Sequence, residues 1–142
     1  MLVKKIIVCI LLIGFSNTIV HGQRAGKKNK TSSTSGLTAK GKILFGQASF
    51  YANKFHGRRT ANGETFNQAK LTAACNVLPL GTWIKVTNLK NGKTVVVKTN
   101  DRLHHNTRRI IDLTRSAAKE LGFISRGLTR VKIEVLGKNA GK

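Results

Sequence analysis

The sequence predicts an all-β domain, β-rich with one short helix, in which six strands close into a barrel. Three observations carry this. Residues 43–137 run in short stretches rich in Val, Ile, Thr and aromatics, separated by Gly, Asn and Asp turn signals. One stretch alone, 115–121, combines a helical pattern with helix-end residues. Six short strands in an open sheet would leave two unpaired edges, which closure removes.

The first strand is 44–51 (LFGQASFY) and the second 71–76 (LTAACN). The third, 82–88 (TWIKVTN), partly alternates apolar and polar residues through Ile84, Lys85, Val86 and Thr87. Asn91-Gly92 then reads as a type I′ hairpin turn, whose central positions both need positive φ. The fourth strand, 94–99 (TVVVKT), holds the unbroken run Val95-Val96-Val97, the pattern of a strand buried on both faces. The fifth is 109–113 (RIIDL). The helix 115–121 has Thr114 as N-cap, Gly122 as stop, and Ala117, Ala118 and Leu121 as a small apolar stripe for docking on the barrel. The sixth strand, 129–136 (TRVKIEVL), completes the set.

Outside the domain, residues 1–22 read as a secretory signal. Lys4 and Lys5 form its charged start, residues 6–15 its apolar centre, and Val20-His21-Gly22 its cleavage region. That apolar run is roughly half the ~20 residues that span a bilayer, so no integral membrane segment is expected. Cys9 follows Ile6-Ile7-Val8 and lacks the small residues of a lipoprotein cleavage box. The expectation is a secreted or periplasmic protein, soluble after cleavage and not a lipoprotein. Residues 23–42, made largely of Gly, Lys, Ser, Thr and Asn, read as a flexible basic linker, 43–137 as the single domain and 138–142 as a tail. Only Cys75 would remain after cleavage, so no intramolecular disulfide forms and a monomer is expected.

The 26 Lys and Arg residues face 5 Asp and Glu. A field of that sign draws the protein to polyanions such as cell-wall polymers. Nucleic acid would answer the same charge, but none of the motifs points to it, and it is not expected as a partner. The scarcity of acids makes each one informative. Glu64, in T-A-N-G-E, and Asp101, in T-N-D-R, fall at turn-like or strand-end positions where side chains are displayed at a rim. Glycosidic bond cleavage calls for one carboxylic acid to protonate the leaving oxygen and a second group to stabilise positive charge or handle a proton. Glu64 and Asp101 are the candidate pair. The competing readings are an ion pair of Asp101 with Arg102 or Arg108, and an ordinary turn role for Glu64. Asp112, within I-I-D-L, reads either as a proton donor with a raised pKa or as a cap on the amides of the following loop. Glu120 and Glu134 read as solvated charges. Tyr51, Phe55 and His56 read as a groove-lining trio for stacking on sugar faces, or as core. His104 and His105 adjoin Asp101, but adjacent side chains point apart and no spacing matches a zinc site, so neither a metal nor another cofactor is expected.

The segments G-Q-A-S-F-Y (46–51), F-H-G-R-R-T-A-N-G-E (55–64), L-T-A-A-C (71–75), L-P-L-G-T (78–82), V-T-N-L-K-N-G-K (86–93), N-D-R (100–102) and R-I-I-D-L-T (109–114) carry a resemblance. In this order and spacing they resemble the RlpA family, the rare lipoprotein A type of cell-wall protein, across 46–136. The resemblance implies a six-stranded double-psi β-barrel of the expansin type. It also implies lytic transglycosylase activity on peptidoglycan glycan strands, with a preference for strands stripped of stem peptides. The family's catalytic pair falls on Asp101, as proton donor, and Glu64, and its groove aspartate on Asp112. The substrate-binding residues expected are Tyr51, His56, Asn62, Cys75, Arg102 and Asp112. The family usually has His where this chain has Cys75, so a thiol is expected close to the carboxylates and a slower enzyme with it. The loop after Arg102 reads Leu103-His104-His105 where the family has Gly-Pro-Phe.

Overall fold

The structure, a computed structural model, describes residues 40–140. The expected signal segment 1–22, residues 23–39 of the expected linker and the last two residues lie outside the described residues. Six strands form a closed barrel: β1 (Ile43–Phe50), β2 (Thr72–Ala74), β3 (Trp83–Asn88), β4 (Thr94–Asp101), β5 (Ile111–Leu113) and β6 (Thr129–Gly137). One helix, α1 (Arg115–Glu120), joins β5 to β6. The order around the barrel is β1-β5-β2-β4-β3-β6. β1 runs parallel to β5 and β2 parallel to β4, and the remaining neighbours are antiparallel. Each parallel pair needs a crossover, and the two crossovers interlock, which is the double-psi connection.

Period-2 alternation fills the interior. Ile84 and Val86, Val95 and Val97, and Val131, Ile133 and Val135 are buried from three adjacent strands. β4 departs from the expectation of burial on both faces: Val95 and Val97 turn into the barrel while Val96 between them faces outward and is 40% exposed. The apolar stripe of α1 docks as its spacing predicts, with Ala117, Ala118 and Leu121 fully buried. The helix ends on a Schellman motif. The Gly122 N–H donates to the Lys119 carbonyl, the Phe123 N–H to that of Ala118, and Gly122 takes φ +72°. Thr114 occupies the N-cap, but its side chain makes no capping bond. Gln68 takes that part instead: its Oε1 accepts the Arg115 N–H at 2.7 Å and its carbonyl the Ser116 N–H at 3.2 Å.

The β3–β4 connection is a hairpin, although not the two-residue turn expected. The Asn88 N–H donates to the Lys93 carbonyl, and the Gly92 N–H to that of Asn88, leaving a four-residue loop. The wider loop lets Asn88 and Asn91 both donate through Nδ2 to the Leu121 carbonyl, at 2.9 and 3.0 Å, tying the helix end to the barrel. β2 and β5 are shorter than their sequence patterns, and β4 runs two residues further, to Asp101. That extension forms the rim described next.

Candidate active site

A bulge at the end of β4 builds the site. Across the β2/β4 pair Ala73 opposes Thr99, but Ala74 opposes Asp101, so Asn100 is the extra residue. A bulge re-aims side chains that would otherwise alternate between faces. Here Asn100 and Asp101 both reach the turn 60–64. Asn100 Nδ2 donates to Glu64 Oε2 at 3.0 Å, and the Asn100 carbonyl accepts the Asn62 N–H at 3.1 Å. Asp101 Oδ1 accepts the Ala61 N–H at 2.9 Å. The two carboxylates thus belong to one hydrogen-bonded unit.

The turn is locally determined. Asn62 Oδ1 accepts the Glu64 N–H at 3.1 Å and the Thr60 hydroxyl at 2.7 Å. Between them Gly63 sits at φ +86°, a conformation that disfavours a Cβ. The Asn100 amide, with Asn62 adding to it and Lys98 and Lys70 nearby, holds the Glu64 carboxyl below its ordinary range.

Asp101 accepts two further bonds, from the Arg102 N–H at 2.8 Å and from the Tyr51 hydroxyl, to Oδ2, at 2.8 Å. Tyr51 is fixed by Phe66, at 4.4 Å between ring centroids, and by the edge of Phe55 at 5.8 Å. Burial, then the Asp101 carboxylate, pushes the Tyr51 phenol far above its ordinary pKa, so it keeps its proton. Gln68 Nε2 donates to the Tyr51 carbonyl at 2.9 Å, which ties this residue to the start of α1.

The structure revises several sequence expectations. Asp101 is in none of the ion pairs among the described residues, because Arg102 turns its guanidinium to the carbonyls of Leu78, at 2.7 Å, and Cys75. Asp112 is neither an unpaired acid nor an amide cap. Arg109 grips it through Nε at 2.7 Å and Nη2 at 3.0 Å, and the Ser49 hydroxyl donates to it at 2.7 Å. Cys75 touches the site only through its backbone, its N–H donating to the Asp101 carbonyl at 3.1 Å and its carbonyl accepting from Arg102. Its thiol is fully buried in the core, where desolvation raises its pKa, so the side chain does not reach the groove. His56 stays exposed with its Nδ1 accepting the Gln68 N–H at 3.3 Å, and Phe66 takes its expected place in the aromatic trio. His104 and His105 stack at 4.3 Å instead of pointing apart. Glu134 is paired with Lys85 and Lys132.

Ala74 opposes Asp101 on β4 and Asp112 on β5, and Asp112 opposes Ser49 on β1. One row across four strands therefore carries both aspartates, about 10 Å apart at two strand spacings. A cavity of about 400 Å³ beside Leu89 and Leu128 has neither Glu64 nor Asp101 in its lining. The carboxylates lie half-buried at the barrel surface. Sequence reasoning missed Asn100, Ser49, Phe66 and Gln68, whose roles depend on bulge position and cross-barrel contact.

A closed six-stranded double-psi barrel with two acids on one bulged strand end and its facing turn defines the class. The description lytic transglycolase matches residues 44–133, and the chain belongs to that family. It is 47% identical over 110 residues to the endolytic peptidoglycan transglycosylase RlpA of Haemophilus influenzae, covering 77% of this chain and 38% of that protein. It is 52% identical over 95 residues to the probable endolytic peptidoglycan transglycosylase RlpA of Synechocystis, covering 67% of this chain and 30% of that one. The chain thus spans about a third of the length of these relatives. The apo expansin of Clavibacter michiganensis shares the fold, with a TM-score of 0.56 at 21% identity over 70% of this chain and 53% of that one.

Proposed function

We propose that the protein is a peptidoglycan lytic transglycosylase that cleaves the bond between N-acetylmuramic acid and N-acetylglucosamine and leaves 1,6-anhydromuramic ends. The observation that carries this reading is the tie between Glu64 and Asp101 through the Asn100 bulge, in a chain with only 5 acids. The names of the RlpA relatives support the substrate class.

In the proposed mechanism Asp101 gives its proton to the glycosidic oxygen as the bond to the muramic acid C1 breaks, releasing the N-acetylglucosamine hydroxyl. Glu64, kept ionised, offers negative charge to the oxocarbenium-like transition state. The muramic acid C6 hydroxyl then attacks C1, forming the anhydro bridge, and its proton returns to Asp101. No water is consumed. The Tyr51 hydroxyl and two backbone amides hold the Asp101 carboxylate through the cycle. Asn62 shapes the turn that presents Glu64, Arg102 fixes the loop 75–78, Asp112 and His56 supply polar groove contacts, and Cys75 acts through its backbone. The site is secreted or periplasmic, its substrate glycan strands preferably freed of stem peptides, and its role wall remodelling or cell separation.

A second reading, a non-catalytic expansin-like wall binder, draws on the buried thiol, which leaves the two acids without a third titratable side chain from position 75. Digestion of purified glycan strands separates the two. The wild type should release anhydro-ended fragments and Asp101→Asn should release none while still binding strands. Binding without any wild-type product would establish the binder instead.

A further inference from the structure

The outward row next to Glu64 has chemistry that the cleavage step does not use. Trp83 on β3, Lys98 on β4 and Thr72 on β2 are direct register partners across three strands. Their chain neighbours Ile84 and Val97 fill the core, so alternation turns Trp83 and Lys98 to the outside. The Lys98 ammonium sits 6.0 Å from the centre of the half-buried Trp83 ring. Two residues further along β4, Asn100 holds Glu64.

Lys98 also lies close enough to the Glu64 carboxyl to favour its ionised form. Lys98 is in none of the ion pairs among the described residues, which join Lys85 and Lys132 to Glu134 and Arg109 to Asp112. An ammonium group in no ion pair among the described residues thus stands beside an indole face, two residues along β4 from the side chain that holds a candidate catalytic acid. An indole offers a flat apolar surface to a sugar ring, and lysine a point charge to a carboxylate.

We propose that Trp83 and Lys98 form a glycan subsite for an acidic sugar, the indole stacking on the ring and the ammonium group taking its carboxylate. The identity of that sugar rests on the transglycosylase reading. In a wall glycan the acidic ring is N-acetylmuramic acid, whose lactyl carboxylate is charged only where the stem peptide has been removed, because the peptide linkage converts it to an amide. The subsite would therefore read the absence of the peptide directly, as charge.

Trp83 is the single tryptophan of the chain, so its fluorescence reports on this subsite without any need for turnover. The test titrates the Asp101→Asn protein with three ligands: peptide-free glycan oligomers, neutral chitooligosaccharides and polyglutamate. Peptide-free oligomers should shift Trp83 emission and bind more tightly than chitooligosaccharides. Lys98→Met, which keeps the apolar stem over the ring, should weaken the acidic oligomers on the order of tenfold, leave chitooligosaccharide binding unchanged, and be rescued by Lys98→Arg. The proposal falls if Trp83 stays silent while oligomers bind, if Lys98→Met weakens both sugars equally, or if polyglutamate gives the same emission change. Wild-type digestion of the same oligomers is read separately. Cleavage with a silent Trp83 removes the subsite and keeps the transglycosylase, whereas charge discrimination without cleavage keeps the subsite and removes the transglycosylase.

Discussion

The Tyr51 hydroxyl donates a 2.8 Å hydrogen bond to the Asp101 carboxylate, joining the residue after β1 to the last residue of β4. The contact crosses the barrel and aims the oxygen that has to exchange a proton with substrate. Tyr51→Phe keeps the ring in its Phe55 and Phe66 packing and removes only this donor. A hydrogen bond to a charged group contributes about 1.5–3 kcal/mol, so turnover should fall roughly ten- to a hundredfold with KM little changed. Steady-state rates of anhydro-end release check this, and an unaltered kcat would remove Tyr51 from the mechanism.

Glu64→Gln gives a pH signature in stability. The native carboxyl lies below its ordinary range, chiefly through the Asn100 amide, while in the unfolded chain it titrates at about 4.3. Ionised Glu64 therefore contributes stability above that ordinary value, and the contribution is lost as pH falls through the lower native value. The Tm of the wild type should exceed that of Glu64→Gln near neutral pH, and the difference should shrink towards zero in acid. A difference that is flat or grows as pH falls would contradict the Asn100–Glu64 pairing.

Much of the fold was legible in the sequence because it rests on local patterns. The buried alternation of β3 and β6, and the Ala117, Ala118 and Leu121 stripe, follow from periodicity, and the stop at Gly122 from its freedom at positive φ. The two candidate acids were legible for the opposite reason, their scarcity. What the chain could not show is set by register. Asn100 meets Glu64 only because one extra residue is slipped in against β2, and Asp112 meets Ser49 only because β5 lies beside β1. Cys75 looked like a groove residue by its position, but its thiol points into the core. Val96 looked buried by composition, yet it lies on the outer face of β4.

Gly46 supports the same architecture from a distance. A Cβ there would lie 2.6 Å from Ile110 Cγ2 and 2.8 Å from Ile110 Cβ, so the residue leading into β5 packs against bare backbone. Gly46→Ala should lower stability by about 1–3 kcal/mol, a Tm loss of several degrees in thermal denaturation, through overpacking. An unchanged Tm would mean that β1 and the Ile110 segment separate more easily than their hydrogen bond, Ile110 N–H to the Gln47 carbonyl at 2.9 Å, suggests.

Cys75 should behave as a core side chain. Burial raises its thiol pKa, so little thiolate is present near neutral pH and reagents cannot reach it. Peptide mapping after alkylation should find Cys75 unmodified in the native protein and fully modified in denaturant, and Cys75→Ser should retain most of the activity. Rapid native labelling would place the thiol at the surface after all.

The central claim is that the muramic acid C6 hydroxyl, and not water, closes the reaction at C1. Digestion of purified glycan strands in ¹⁸O-labelled water, followed by mass spectrometry of the released ends, tests it directly. The expected products are 1,6-anhydromuramic ends, lighter by one water than reducing ends and free of the label. Reducing ends carrying ¹⁸O at C1 would show that the Glu64–Asp101 site directs hydrolysis, and would contradict it.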